Sequence, residues 1–322
     1  MEYLLSSKPR AALIGAGAIA PFHVAALRAV GFVVDHIAAS PKSKRAAAFA
    51  TEYNIARCWS NPVELIESGT WDAIVIAAST EVLPLLLSHA VKVGRPCLIE
   101  KPVAFDGTEI LKFAKYEELV RVAYNRRFYS ASAVAKSFAD SKSCLFRLEL
   151  PDTAKTTDDD FGGLRAVREN SVHGLDLLRY VVGPYRIDKR LDVAHPRARI
   201  ATVISDGGHV GSIVLNWNCP ANFSLVLDST PQRFEMRPFE MGSLYEGMEV
   251  LEPSAAVPVR RYVPKLIEQV SSFPDADGFK PGFIGQAQSL MQCVKKGFWD
   301  ERSATLADAA AVADIAKSLT SQ

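Results

Sequence analysis

Ala11-Ala12-Leu13-Ile14-Gly15-Ala16-Gly17-Ala18-Ile19-Ala20 is the stretch on which the reading of the fold turns. Ala11–Ile14 is a short apolar run of strand character, and Gly15–Ala20 spells GxGxxA. Ile19–Val30 then takes up helical spacing, with Ile19, Val24, Ala26, Leu27 and Val30 available to one face. A strand, a glycine turn and a helix in that order can do something specific. Gly15 permits the tight turn, Gly17 lets the backbone approach a pyrophosphate, and the small Ala20 lets helix and strand pack closely. The helix start adds unpaired N–H groups and a partial positive charge. Gly15, Gly17, Ala18 and Ile19 are therefore the expected phosphate contacts. Taken alone, the same six residues would also serve as an unliganded Gly/Ala turn.

The sequence that follows supplies the context. Val33–Ala39 reads as a strand, Ser43–Glu52 as a helix, and Ser60 or Asn61 can cap a short helix carrying Pro62 in its first turn. Trp71–Ala78 (WDAIVIAA) is continuously apolar, as a strand buried on both faces of a parallel sheet must be. Val82–Val93 is helical, Pro96–Ile99 a strand, Gly107–Glu118 a helix and Val120–Tyr124 a strand. This β-α alternation predicts an α/β fold, a Rossmann doubly wound parallel sheet. Beyond Val122 the pattern changes. Helices over Ala131–Ala139 and Ser171–Val182 frame strands at Cys144–Leu150, Ile187–Val193, Ile200–Ser205, His209–Trp217, Ser224–Asp228 and Arg233–Arg237. Turn signals such as Asp206-Gly207-Gly208 make neighbours antiparallel. Pro281–Lys296 and Ala304–Leu319 read as closing helices. The expected division is residues 1–122 as the dinucleotide-binding domain and 123–322 as an α+β domain with a mostly antiparallel sheet.

Composition narrows the class. A chain of 322 residues, 48% hydrophobic and 23% charged, has the make-up of a folded globular protein of two domains. A formal net charge of +1 offers no global field for nucleic acid or an anionic membrane. Cys58, Cys97, Cys144, Cys219 and Cys293 are scattered, so neither a disulfide framework nor a zinc site is indicated, and reduced thiols fit a cytoplasmic protein. Met1–Pro9 lacks the features of a signal peptide, and no apolar run is long enough for a membrane span. The Asp158-Asp159-Asp160 run reads as a solvated loop rather than a metal site.

The second strand bears on the choice of dinucleotide. Asp35 lies about 20 residues after Gly15, where an acid would bind the ribose hydroxyls of NAD. Ile37-Ala38-Ala39 carries the strand past it, so the terminal position falls to Ser40, followed by Lys42, Lys44 and Arg45. A hydroxyl with nearby cations suits a 2′-phosphate. Ser40 and Lys42 thus tilt the expected cofactor, NAD(P), toward NADP, against the competing view that the lysines only decorate a solvated helix start.

Glu100-Lys101-Pro102 directly follows a strand, at the carboxyl end of the sheet where α/β folds bind ligands. Pro102 fixes the turn, and a cis bond before it would aim the lysine. GxGxxA, then Glu-Lys-Pro, then Tyr124-Asn125-Arg126-Arg127-Phe128, then Phe161-Gly162-Gly163 leading to His173-Gly174-Leu175-Asp176, and Lys280-Pro281-Gly282-Phe283 near the end form an ordered set. That set resembles the glucose–fructose oxidoreductase / inositol dehydrogenase family over nearly the whole chain. The resemblance implies a second domain with a large open sheet often used for oligomerisation, and so a homodimer or homotetramer. It also implies hydride transfer between NAD(P) and a sugar, polyol or sugar derivative. The family's lysine falls on Lys101 and its histidine on His173. Two positions depart from the pattern: Glu169 stands where the family has Asp, and Ser171 where it has Gly.

The chemistry assigns roles. Oxidising a secondary alcohol removes a hydride from carbon and a proton from oxygen. His173, with an ordinary pKa of about 6.5, is the natural base. Lys101 would bind the same oxygen, and Glu169 would orient His173 or hold a neighbouring hydroxyl. Glu100 belongs with the cofactor site. Tyr124 and Arg127 either bind substrate or pack. The alternative to an enzyme is a dinucleotide-binding regulatory or structural protein that lost turnover, motivated by Glu169.

Overall fold

The computed structural model describes residues 8–153, 164–193, 198–273 and 278–321. Met1–Pro9 falls largely, and the Asp158-Asp159-Asp160 run and Phe161-Gly162-Gly163 fall wholly, outside the described residues. The chain divides into two compact units. The first runs to Phe128 and resumes over Pro274–Lys317; the second covers Tyr129–Phe273 and the last residues from Ser318. The sequence reading drew one boundary at 122/123 and kept everything after it together. The units differ because the closing helix over Phe283–Lys296 shares the core of the Rossmann sheet, and the chain through Lys317 clusters with it.

The first unit holds β1 (Arg10–Ile14), α1 (Ala20–Ala29), β2 (Val33–Ala38), α2 (Ala46–Glu52), β3 (Arg57–Trp59), α3 (Pro62–Glu67), β4 (Ala73–Ile76), α4 (Leu83–Val93), β5 (Cys97–Ile99), α5 (Gly107–Leu111) and β6 (Val120–Val122). All six strands run parallel in the order β3-β2-β1-β4-β5-β6, the doubly wound arrangement expected. β1, at the centre, and β4, beside it, are buried almost completely, which is why their sequences are continuous apolar runs. Asn61 caps α3 by accepting from the Val63 amide at 3.0 Å, as its position before Pro62 suggested.

The second unit carries α6 (Ser130–Asp140), β7 (Leu145–Leu150), α7 (Leu164–Ala166), α8 (Val172–Val182), β8 (Tyr185–Val193), β9 (Ala198–Ser205), β10 (Val210–Asn216), β11 (Ser224–Ser229), β12 (Gln232–Met236), β13 (Met241–Leu251) and β14 (Arg261–Ser271). Its eight strands follow β14-β13-β12-β11-β7-β10-β9-β8, antiparallel except for the central β7–β10 pair. Phe146, Leu148, Leu150, Ala201, Val203, Ile213 and Leu215 alternate onto the buried face. The other face carries cross-strand ion pairs, among them Arg147–Asp228 at 2.6 Å and Arg237–Glu149 at 3.1 Å. β13 and β14 escaped the sequence reading because they are exposed on both sides for most of their length and carry Gly247 and Pro264. Pro264 is tolerated because β14 lies at the sheet edge.

α9 (Phe283–Lys296) and α10 (Leu306–Thr320) close the chain. Phe283, Ala287, Leu290 and Met291 of α9 join Leu13, Val24, Leu27, Ile37 and Val75 in one hydrophobic core. Each fully buried Leu, Val or Ile among them contributes about 1.5–3 kcal/mol of transfer free energy. Midway along α10, Asp314 accepts a hydrogen bond from the Gly107 amide at 3.1 Å, tying it to α5.

Candidate active site

The glycine turn forms because two glycines meet two different demands. Gly15 follows β1 with φ of +112°, and a Cβ there would lie 2.1 Å from the Ala77 carbonyl oxygen. Its amide donates to Ala38 O at 2.7 Å, and Ala77 N donates to Ile14 O at 2.7 Å, so the turn is pinned between the ends of β2 and β4. Gly15 is thus a requirement of the fold. Gly17 is different: it is exposed, and nothing lies within 4 Å of where its Cβ would stand. Ile19 takes the N-cap position of α1 without a side-chain cap, and a proline sits in the first turn. The first amides of a helix have no intrahelical acceptor. Gly17 and Ala18 therefore face solvent beside an uncapped helix start, the open space and bare donors that a diphosphate needs, and the residues present fit a dinucleotide.

β2 ends at Ala38, and Ser40 and Lys42 are exposed in the loop beyond it. Ser40 Oγ accepts from the Lys42 amide at 3.3 Å, and Ser40 O from the Ser43 amide at 2.8 Å, giving the loop a tight turn with its cations outward. Asp35 is engaged elsewhere. Its carboxylate accepts from Arg10 Nη2 at 3.0 and 3.3 Å, toward the start of β1 and away from the glycine turn.

Glu100 and Lys101 follow β5, so the structure sets the glycine turn, Ser40 and the Glu-Lys pair beyond the carboxyl ends of β1, β2 and β5, parallel strands of one sheet in which only β4 stands between β1 and β5. Glu100 is 8% exposed. Its Oε1 lies 2.8 Å from His23 Nε2, and its Oε2 accepts the Lys101 amide at 3.2 Å. Burial pushes its pKa up, but the hydrogen bond and charge of His23 and the charge and amide of Lys101 outweigh it, leaving the carboxyl below its ordinary value. Glu100 is therefore an internal carboxylate holding the Lys101 backbone. Lys101 itself is half-buried, and the Lys101–Pro102 peptide is cis.

His23, 3% exposed on α1, went unremarked in sequence. It sits on the same helical face as Ala20 and Leu27, whose apolar spacing masks it. Phe283 packs edge-on against its ring at 5.0 Å, and the Lys280 ammonium lies 4.6 Å from the Phe22 ring centre. The Lys280-Pro281-Gly282-Phe283 motif thus buttresses α1. Gly282 lets it do so, because a Cβ there would strike Asn125 O at 2.1 Å. Tyr124 and Arg127 are buried in the same unit, and Arg127 Nη1 pairs with Asp308 Oδ2 at 3.1 Å. Both pack within the first unit.

In the second unit His173 is half-buried in the first turn of α8. Gly174 brings that turn close to the sheet: a Cβ would lie 2.4 Å from Leu150 Cδ2, against β7. The five residues before α8, Val167–Ser171, form a single π-helical turn, a feature frequent at functional sites. Glu169 lies in it, four residues before His173 as its spacing implied, and its Oε1 accepts from Arg165 Nε at 2.7 Å. Ser171 is fully buried. Among the described residues no three His, Cys, Asp or Glu side chains form a group that could hold a metal ion, and no helix is long and apolar enough to cross a membrane.

Residues 9–126 match the family described as an oxidoreductase family with an NAD-binding Rossmann fold. The match covers the Rossmann part of the first unit, so over that stretch the chain is similar to this family. The inositol 2-dehydrogenase 2 of Saccharopolyspora erythraea is 29% identical over 157 residues, 43% of each chain. The myo-inositol 2-dehydrogenase of Thermotoga maritima is 22% identical over 185 residues, 54% of this chain and 55% of that one. The matches thus span about half the length of these relatives. Solved structures share the fold over almost the entire chain. A levoglucosan dehydrogenase in complex with NADH and levoglucosan superposes with a TM-score of 0.75 at 17% identity, covering 97% of this chain and 96% of that one. A UDP-N-acetylglucosamine 3-dehydrogenase from Acidithiobacillus ferrooxidans gives 0.75 at 15% identity, with the same coverage. The structural likenesses bear out the two-sheet fold read from the sequence, and the match over residues 9–126 agrees with the resemblance found there.

Proposed function

We propose that this protein is an NAD(P)-dependent dehydrogenase or reductase acting on a CH–OH group of a sugar, a cyclic polyol or a sugar derivative. The observation that carries the reading is an open, uncapped glycine turn after β1 on the same sheet edge as Lys101, whose backbone a buried carboxylate holds at the end of β5, two strands away. The names of the inositol dehydrogenases and of the sugar dehydrogenases add support.

Gly15, Gly17, Ala18 and Ile19 would hold the diphosphate through backbone N–H groups, with Gly17 leaving room for it. A bound nicotinamide supplies the acceptor or donor of hydride. The chain's own residues do the rest. Lys101 binds the reacting oxygen and stabilises the charge that develops on it as the proton leaves. His173 takes that proton at an imidazole nitrogen when the alcohol is oxidised and returns it in the reverse direction. Glu169, tied to Arg165, holds a neighbouring hydroxyl or the imidazole. Ser40 and Lys42, with Lys44 and Arg45 near them, favour a 2′-phosphate, and Asp35, already paired with Arg10, leaves that position to them. The reading places the protein in the cytoplasm as a homodimer or homotetramer built on the open eight-stranded sheet.

The test is to mix the purified protein with NAD+ or NADP+ and a panel of inositols, hexoses and sugar derivatives, following reduced nicotinamide by absorbance. Reduction with at least one polyol is expected. Tight dinucleotide binding without reduction on any member would replace this reading with that of a dinucleotide-binding protein lacking turnover.

A further inference from the structure

Asp152 is a carboxylate that neither the fold nor the proposed chemistry has yet used. It follows β7, is 7% exposed, and is wrapped in donors from the turn that precedes His173. Oδ2 accepts from Ser171 Oγ at 2.8 Å and from Asn170 Nδ2 at 3.2 Å. Oδ1 accepts from the same Asn170 amide at 3.1 Å and from the Thr153 N–H at 2.9 Å. Its backbone is fixed as well: Asp152 N donates to Leu150 O at 3.0 Å, and Asn218 N, beyond the end of β10, donates to Asp152 O at 2.9 Å. β7 and β10 are the parallel pair at the centre of the sheet.

A π turn is a poor structure in isolation, occurring mostly as a single turn inserted in an α-helix. Here Asn170 and Ser171 lie in it and both bond to Asp152, at the end of the rigid central strands. Charge-assisted hydrogen bonds to a buried carboxylate are the stronger kind, and removing a donor from such a group leaves it undersatisfied. Ser171 stands where the family pattern has Gly, a residue with no side chain that could make this bond.

We propose that Asp152 is a positioning residue. Through Ser171 and Asn170 it latches the π turn Val167–Ser171 to the sheet and so fixes where α8 begins and where His173 and Glu169 stand. The inference rests on the functional reading above for the roles of His173 and Glu169, but the latch itself is a structural statement that can be read without turnover.

The experiment uses the full-length protein as Ser171→Ala, Ser171→Gly and Asp152→Ala variants with two readouts. Hydrogen–deuterium exchange should accelerate at the amides of residues 167–173 while the Rossmann strands keep their protection. For the polyol that the wild type turns over, kcat should fall about tenfold in Ser171→Ala and Ser171→Gly and about 10²-fold in Asp152→Ala, the size expected for a small misplacement of reacting groups. KM and dinucleotide affinity should change less than threefold. Should Asp152→Ala fail to fold, the two Ser171 variants carry both readouts. Unchanged exchange at 167–173 in the Ser171 variants would overturn the latch. So would a loss of kcat matched by an equal loss of dinucleotide affinity, the mark of general destabilisation. A wild type inactive on every polyol would count against the functional reading alone, because the exchange measurement still decides the latch.

Discussion

The turn after β1 and the turn before α8 are both places where a helix starts beside a strand end, yet they are held by opposite means. The first is fixed by backbone alone: Gly15 N to Ala38 O, Ala77 N to Ile14 O, and a positive φ that only glycine adopts without strain. Its helix start has no side-chain cap. The second is fixed by side chains, with Asp152 gathering Ser171 and Asn170 and with Glu169 tied to Arg165. A site that must present bare N–H groups to an anion cannot afford a side-chain cap, whereas one that must aim an imidazole needs an anchored scaffold. Substitutions at the two turns should therefore fail in different ways.

The largest effect should fall on the chemistry. Lys101→Ala and His173→Ala are each expected to lower kcat by about 10²–10⁴-fold while leaving dinucleotide affinity nearly unchanged. Steady-state kinetics beside calorimetric titration would check this, and full activity in both variants would remove these residues from the site. Next comes Gly15→Ala, in which the new Cβ meets the Ala77 carbonyl at a φ forbidden to it. A loss of about 3 kcal/mol of folding stability is expected in denaturant titration. A loss below 0.5 kcal/mol would mean that the turn is not pinned as described.

The buried Glu100 gives a pH signature. Its pKa lies below the ordinary carboxylate value in the folded state, so its ionised form adds stability above the unfolded-state pKa of about 4.3, and that stability is lost as pH falls through the lower folded value. The stability gap between the wild type and Glu100→Gln should be widest near neutrality and should narrow below about pH 4. A gap that is flat with pH would show that the carboxyl is not held ionised. The smallest effect belongs to the loop after β2, where Lys42→Ala should lower the ratio of NADP+ to NAD+ affinity by about tenfold, the equivalent of about 1.4 kcal/mol. An unchanged ratio would confine the lysine to a solvated surface.

The same contrast explains what the sequence disclosed. The parallel sheet was legible because buried central strands such as Ala73–Ile76 are apolar without interruption, and the glycine turn because its requirements act through residue type at fixed spacing. Lys101 and His173 came with ordered motifs. Asp152 was invisible, since a lone aspartate after a strand has no local pattern and its donors lie 18 and 19 residues further on. His23 was hidden by its place on an otherwise apolar helix face, with a partner 77 residues away. The closing helices were found as helices but attached to the wrong neighbours by sequence order, because periodicity reveals that α9 has a buried face without revealing which sheet covers it. β13 and β14 were lost for the reason that most exposes them: without a buried face there is no alternation to read.

Gly17 puts the central claim at greatest risk, since nothing in the protein lies within 4 Å of the space its Cβ would fill. Calorimetric titration of the wild type and Gly17→Val with NADP+ and NAD+, beside a thermal melt of each, tests it directly. The account predicts dinucleotide binding by the wild type, no measurable binding by the variant, and melting temperatures that agree closely. Undiminished binding by a folded Gly17→Val protein would contradict it.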